Sequence, residues 1–144
     1  MAASTSKSGS ETIVVVDDDP TVLNACCSAL RWAGYRVLSA TGGESALTFF
    51  EPDQTPVDLT LIDVVMPGIN GIELAKRLKT ISSGTKILLM SGYSPADIER
   101  LTGEDGAAFD FVWKPFEIKA FLQIISNVLD RPGTEAVGRA TAKS

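Results

Sequence analysis

Apolar residues along this chain fall into short blocks of two kinds. Near-continuous aliphatic runs of strand length occur at 13–16, 59–62 and 87–90, and two shorter β-rich runs lie at 36–40 and 109–113. Between them, apolar positions recur at helical spacing. The alternation predicts strands over 12–17, 36–40, 57–63, 86–91 and 109–113, each followed by a helix, over 20–33, 43–50, 71–81, 95–102 and 116–129. The punctuation agrees: Pro20 suits a first helical turn, Gly34 follows the first helix, and Pro132-Gly133 stops the last.

Strict strand-helix alternation with short connections requires parallel pairing and right-handed crossovers, which place helices on both faces of one sheet. The near-continuous apolar runs are what central strands covered on both faces look like. A chain of 144 residues has room for one such domain. Residues 1–10 and 131–144 are small and polar without apolar periodicity and read as loose tails around a folded unit spanning 11–130. Fourteen residues leave no room for an output domain, so the expectation is that another chain reads this one's signal. No aliphatic run approaches the ~20 residues of a membrane span, and the first residues lack a signal-peptide core, so a cytoplasmic location is expected.

A formal net charge of −5 argues against nucleic acid or anionic lipid as partners and favours cations and basic protein surfaces. The chain has no histidine. That removes Ser-His-Asp hydrolysis, zinc sites of the HExxH kind, and any phosphohistidine carried by the chain itself. Cys26 and Cys27 are adjacent, close no stabilising loop, and read as small helix residues in a reducing compartment.

The polar residues that remain are placed unevenly. Asp17, Asp18 and Asp19 follow the first aliphatic run, Asp63 ends the third strand, Ser91 the fourth, and Lys114 the fifth. In an open parallel sheet these carboxyl ends line a single edge, where ligands bind. Carboxylates gathered there repel by about 4 kcal/mol per pair at roughly 4 Å and an effective dielectric near 20, so they need a cation. Hard oxygen donors without histidine or thiolate favour magnesium, Mg²⁺. A lysine and a hydroxyl facing the same point can hold further phosphoryl oxygens, so the set reads as a Mg²⁺-assisted carboxylate that accepts a phosphoryl group. Each piece has a plainer reading. Asp19 before Pro20 suits a helix cap, Asp63 a turn with Pro67-Gly68, Ser91-Gly92 an ordinary turn, and Lys114-Pro115 an exposed loop. Coincidence at four strand ends is less probable than any one of these alone.

These residues resemble the receiver domain of two-component response regulators, a CheY-like family. The matching pieces are Val14-Val15-Val16-Asp17-Asp18-Asp19-Pro20, Leu61-Ile62-Asp63 running on to Pro67-Gly68-Ile69-Asn70-Gly71, Leu88-Leu89-Met90-Ser91-Gly92-Tyr93, and Lys114-Pro115-Phe116. They stand in the family's order and spacing over about residues 11–130. The resemblance implies a flavodoxin-like doubly wound five-stranded parallel sheet of order 2-1-3-4-5 with five helices on two faces. It makes Asp63 the phosphoacceptor, served by a histidine kinase or a histidine phosphotransfer protein. Asp18, Asp63 and the backbone carbonyl of Val65 would bind Mg²⁺, with Asp17 in support. Ser91 would bond a phosphoryl oxygen, Lys114 would pair with the phosphoryl group, and Lys114-Pro115 would be cis. Phe111 stands where the family places an aromatic switch residue, but without a tyrosine's hydroxyl.

Further implications concern turnover and partners. Val65 and Tyr93 would crowd the path of a hydrolytic water. The chain would not be an enzyme in the usual sense, though it would catalyse its own phosphorylation and slow dephosphorylation. Its output would be a protein target, with no direct nucleic-acid binding and no membrane, as a monomer or a phosphorylation-dependent dimer. The Met-Ser-Gly-Tyr stretch also resembles receivers attached to hybrid kinases. Two other readings compete. Asp17-x-Asp19-x-Thr21 fits the nucleophile motif of haloacid-dehalogenase-like phosphatases, although the acidic pair expected after the lysine is missing, and a degenerate receiver could serve only as a docking module.

Overall fold

Along the first strand, β1 (Thr12–Val16), successive side chains enter two different cores, and that alternation organises everything else. The computed structural model describes residues 11–103 and 109–131. The tails read at 1–10 and 131–144, with the Pro132-Gly133 stop, lie outside the described residues except for Arg131, which is not loose but pairs with Asp110. After β1 come α1 (Pro20–Trp32), β2 (Arg36–Ala40), α2 (Gly43–Leu47) with a 3-10 turn over Thr48–Phe50, β3 (Leu59–Asp63) and α3 (Gly71–Ile81). Then follow β4 (Lys86–Ser91), α4 (Pro95–Thr102), β5 (Asp110–Trp113) and α5 (Ile118–Asp130). All pairings are parallel and the strand order is β2-β1-β3-β4-β5, the 2-1-3-4-5 sheet expected.

Val14 and Val16 of β1, Ile62 of β3, Leu89 of β4 and Phe111 of β5 share one core with residues of α2, α3 and α4. Ile13, Val15, Leu61, Leu88 and Val112 point the other way, against Leu23 and Leu30 of α1 and Phe121 and Ile125 of α5. Each such side chain removed from water contributes about 1.5–3 kcal/mol, which is why the aliphatic runs lie in the sheet's centre. Cys26 and Cys27 are buried, unbridged residues of α1, as their helix reading has it. Burial, then the neighbouring Asp17 and Cys27, pushes the Cys26 thiol up to about 12, so it stays protonated and unreactive.

Three boundaries differ from the sequence reading, each for a local reason. The second helix is α-helical only to Leu47: the Thr48 hydroxyl donates to the Ser45 carbonyl, and the chain tightens into the 3-10 turn. The third strand opens at Leu59 rather than residue 57, because the Asp58 carboxylate turns onto the Thr12 amide. The last helix begins at Ile118 rather than 116. Phe116 follows the cis Lys114-Pro115 bond and stacks on Phe121 instead, with ring centroids 4.8 Å apart. At the opposite edge of the sheet, the Lys86 amine donates to the Leu129 carbonyl at 2.8 Å and to that of Arg131, while Arg131 pairs with buried Asp110 of β5. The carboxyl end of α5 is thereby fastened to β4 and β5.

Candidate functional site

The edge formed by the carboxyl ends of β1, β3, β4 and β5 collects the residues singled out by their placement. The β1 ladder ends as the Asp17 amide donates to the Ala40 carbonyl at 3.1 Å. Asp17 Oδ1 then accepts the Asp19 amide at 2.9 Å, an Asx turn that reverses the chain and keeps the Asp17 carboxylate buried while Asp18 faces solvent. Asp19 is the helix cap, its carboxylate accepting the Thr21 amide at 2.9 Å ahead of Pro20. Asp63 is the last residue of β3 and is buried. Carboxylate oxygens of Asp17, Asp18 and Asp63 lie within 4.8 Å of one another.

Lys114 completes the group. Its amide donates to the Ser91 carbonyl at 2.7 Å, tying the end of β5 to the end of β4, and the next bond, to Pro115, is cis. The Lys114 amine lies 3.1 Å from Asp63 Oδ1 and 3.3 Å from Asp17 Oδ2. Burial, followed by the Asp17 charge, pushes the Asp63 carboxyl up to about 6 despite the lysine's opposing pull. Burial works to lower the Lys114 amine, but the Asp63 and Asp17 carboxylates outweigh it and hold the amine above its ordinary value.

Ser91 arrives at the same edge but is used differently. Its Oγ accepts the Tyr93 amide at 2.9 Å and donates to the Tyr93 carbonyl at a long 3.5 Å, and among the described residues it bonds none of the four charged side chains. Val65 and Tyr93, on the loops after β3 and β4, are 49% and 46% exposed. Phe111 lies inside, stacked on Trp113 with centroids 4.9 Å apart and rings 2° from parallel. The cap at Asp19 is as the sequence reading had it, but which of Asp17 and Asp18 is buried was not apparent from spacing alone. The signal that could have found it is the tendency of aspartate to bond the amide two residues on. Chemically, the set offers three hard-donor carboxylates for a metal ion, two of them buried, and one lysine shared between two acids.

The model of the response regulator receiver domain matches residues 13–126. The chain belongs to that family. The receiver is 29% identical over 126 residues to a probable transcriptional regulatory protein, TcrX, of Mycobacterium tuberculosis, covering 88% of this chain and 53% of that protein. It is 33% identical over 127 residues to the sensor kinase CckA of Brucella abortus, covering 88% of this chain and 13% of the kinase. It thus spans about half or less of the length of these curated relatives. Among solved structures it resembles the response regulator protein TrrA of Thermotoga maritima in complex with Mg²⁺-BeF, with a TM-score of 0.69 and 31% identity over 82% of this chain and 98% of that one. Membership disposes of the phosphatase reading, in which Asp19 would need to be a free acid rather than the cap of α1. The acidic cluster of Asp17, Asp18 and Asp63 fits a receiver's phosphoacceptor site. No helix among the described residues is long and apolar enough to cross a membrane.

Proposed function

We propose that Asp63 is the phosphoacceptor of a two-component phosphorelay. The observation that carries this reading is the buried Asp63 carboxylate held between two further aspartates and a single lysine. Asp18, Asp63 and the Val65 carbonyl would hold Mg²⁺, with Asp17 in support. When bound, the ion offsets the mutual repulsion of the carboxylates and of the incoming phosphoryl oxygens. The donor set supports this choice, being all oxygen with solvent-exposed Asp18 leaving room for metal-bound water.

An ionised Asp63 oxygen attacks phosphorus as the bond to the donor's imidazole nitrogen breaks, and the leaving imidazole takes a proton from solvent. Lys114 exchanges part of its hold on Asp63 for a phosphoryl oxygen, while Asp17 keeps its amine in place. The Ser91 hydroxyl, whose proton goes only to the Tyr93 carbonyl at 3.5 Å, can turn to donate to another phosphoryl oxygen. That contact would draw the end of β4 toward the phosphoryl group and alter the face of α4, β5 and α5 around Phe111, the surface a downstream protein would read. The kinase or phosphotransfer donor, slow self-dephosphorylation past Val65 and Tyr93, and a cytoplasmic setting belong to the same reading.

Mass spectrometry after incubation with acetyl phosphate and Mg²⁺ tests it. One phosphoryl group is expected on Asp63, and labelling disappears in Asp63→Asn and on chelation. Undiminished labelling in either arm would overturn the assignment.

A further inference from the structure

We propose that Gly71, the first residue of α3, is a positioning residue for Asp63, a step that rests on reading Asp63 as the acceptor. A Cβ at Gly71 would lie 2.3 Å from the Asp63 carbonyl oxygen, 2.7 Å from the Val64 Cα and 2.9 Å from the Asp63 carbonyl carbon. All three are backbone atoms, so none can swing aside. The positive-φ glycines among the described residues are Gly34, Gly68 and Gly103, so at Gly71 it is closeness, not backbone conformation, that calls for glycine. At Gly42, Gly84 and Gly92 an added Cβ meets nothing within 4 Å, and at Gly43 it meets only the Ile69 side chain, at 3.0 Å.

The close approach is held from both sides. The Gly71 amide donates to the Val64 carbonyl at 2.8 Å, and the Val64 amide donates to the Met90 carbonyl of β4 at 3.0 Å. Val64, the residue next to Asp63, is therefore gripped by its amide from β4 and by its carbonyl from the start of α3. Helix α3 itself has little freedom to retreat. Asn70 caps it by accepting the Glu73 amide at 2.9 Å, and Ile72, Leu74, Ala75 and Leu78 are buried beneath it. A methyl group at residue 71 would drive the Asp63 peptide away by the best part of an ångström, and the carboxylate shares that Cα. Misplacing a reacting group by about 1 Å costs on the order of a hundredfold in rate.

The test compares Gly71→Ala in the parent and in Asp63→Ala, using the whole chain. Acetyl phosphate labelling should slow by about a hundredfold in Gly71→Ala. Mg²⁺ affinity, read by titration calorimetry, should fall by about tenfold or more, as when a ligand's support is lost. In Asp63→Ala that second loss should shrink to what displacement of the Val65 carbonyl alone causes, because the carboxylate through which Gly71 acts is gone. A general loosening would weaken Mg²⁺ binding equally in both backgrounds. If Gly71→Ala fails to fold, one extra glycine inserted between Asn70 and Gly71 lets α3 stand off without adding a methyl, and the same two measurements decide. Parental labelling, or an equal Mg²⁺ loss with and without Asp63, overturns the proposal. A parent that is never labelled on Asp63 defeats the acceptor reading instead, while the Mg²⁺ comparison still reports on Gly71.

Discussion

Asp63 carries a cost of folding that can be measured. Its carboxyl, at about 6 in the folded chain against an ordinary 3.8, binds its proton more tightly folded than unfolded. The stability this contributes is fully present below about pH 4 and is lost as pH rises through about 6. With its side chain only 11% exposed, screening removes little of the effect, of order 3 kcal/mol well above pH 6. Asp63→Asn, the same shape without the charge, should therefore be more resistant to urea than the parent at pH 7.5 without Mg²⁺, and equal to it at pH 4. A stability difference independent of pH would contradict the assignment of the titration to Asp63. The charged residues of the site were legible in the sequence because parallel strands must bring their carboxyl ends to one edge. The cap at Asp19, ahead of Pro20, was legible too, but the burial of its two neighbours was not. A run of three aspartates has no periodicity, and which one is buried depends on a turn bond from Asp17 Oδ1 to the Asp19 amide.

Among the elements, β1, β3 and β4 were readable because both faces are covered and their middles are nearly continuous apolar runs. The later half of the second helix was not, since residues 48–50 offer the same apolar spacing to an α-helix and to a 3-10 turn. Strand β5 is where the elements bear on signalling. Stacking of Phe111 on Trp113 is worth about 0.5–1.5 kcal/mol beyond burial, whereas a hydrogen bond from Ser91 to a charged phosphoryl oxygen is worth about 1.5–3 kcal/mol. The second can overcome the first. Phosphorylation should thus change Trp113 fluorescence in the parent but not in Ser91→Ala. Trp32, 83% exposed at the end of α1, supplies a constant background that Trp32→Phe removes. The same spectral response in parent and Ser91→Ala would uncouple Ser91 from the aromatic pair.

For the molecule as a whole, the shared lysine means that the receiver carries a tethered cation of its own. With its amine 3.3 Å from Asp17 and 3.1 Å from Asp63, Lys114 acts as an internal counterion, and the folded chain does not depend on a dissolved ion to tolerate its acidic edge. Removing the positive partner of such a buried set, which leaves two carboxylates unpaired, typically costs about 3–5 kcal/mol, and the lysine's partial exposure points to the lower end. Lys114→Ala should accordingly melt well below the parent in metal-free buffer. Mg²⁺ should then raise its melting temperature more than the parent's, because the ion no longer competes with a resident positive charge and binds the folded state more tightly. Equal shifts in the two proteins would count against it. Stability and response are thus set against each other through one side chain: the grip that lets the empty receiver persist is the grip that an arriving ion and phosphoryl group must loosen.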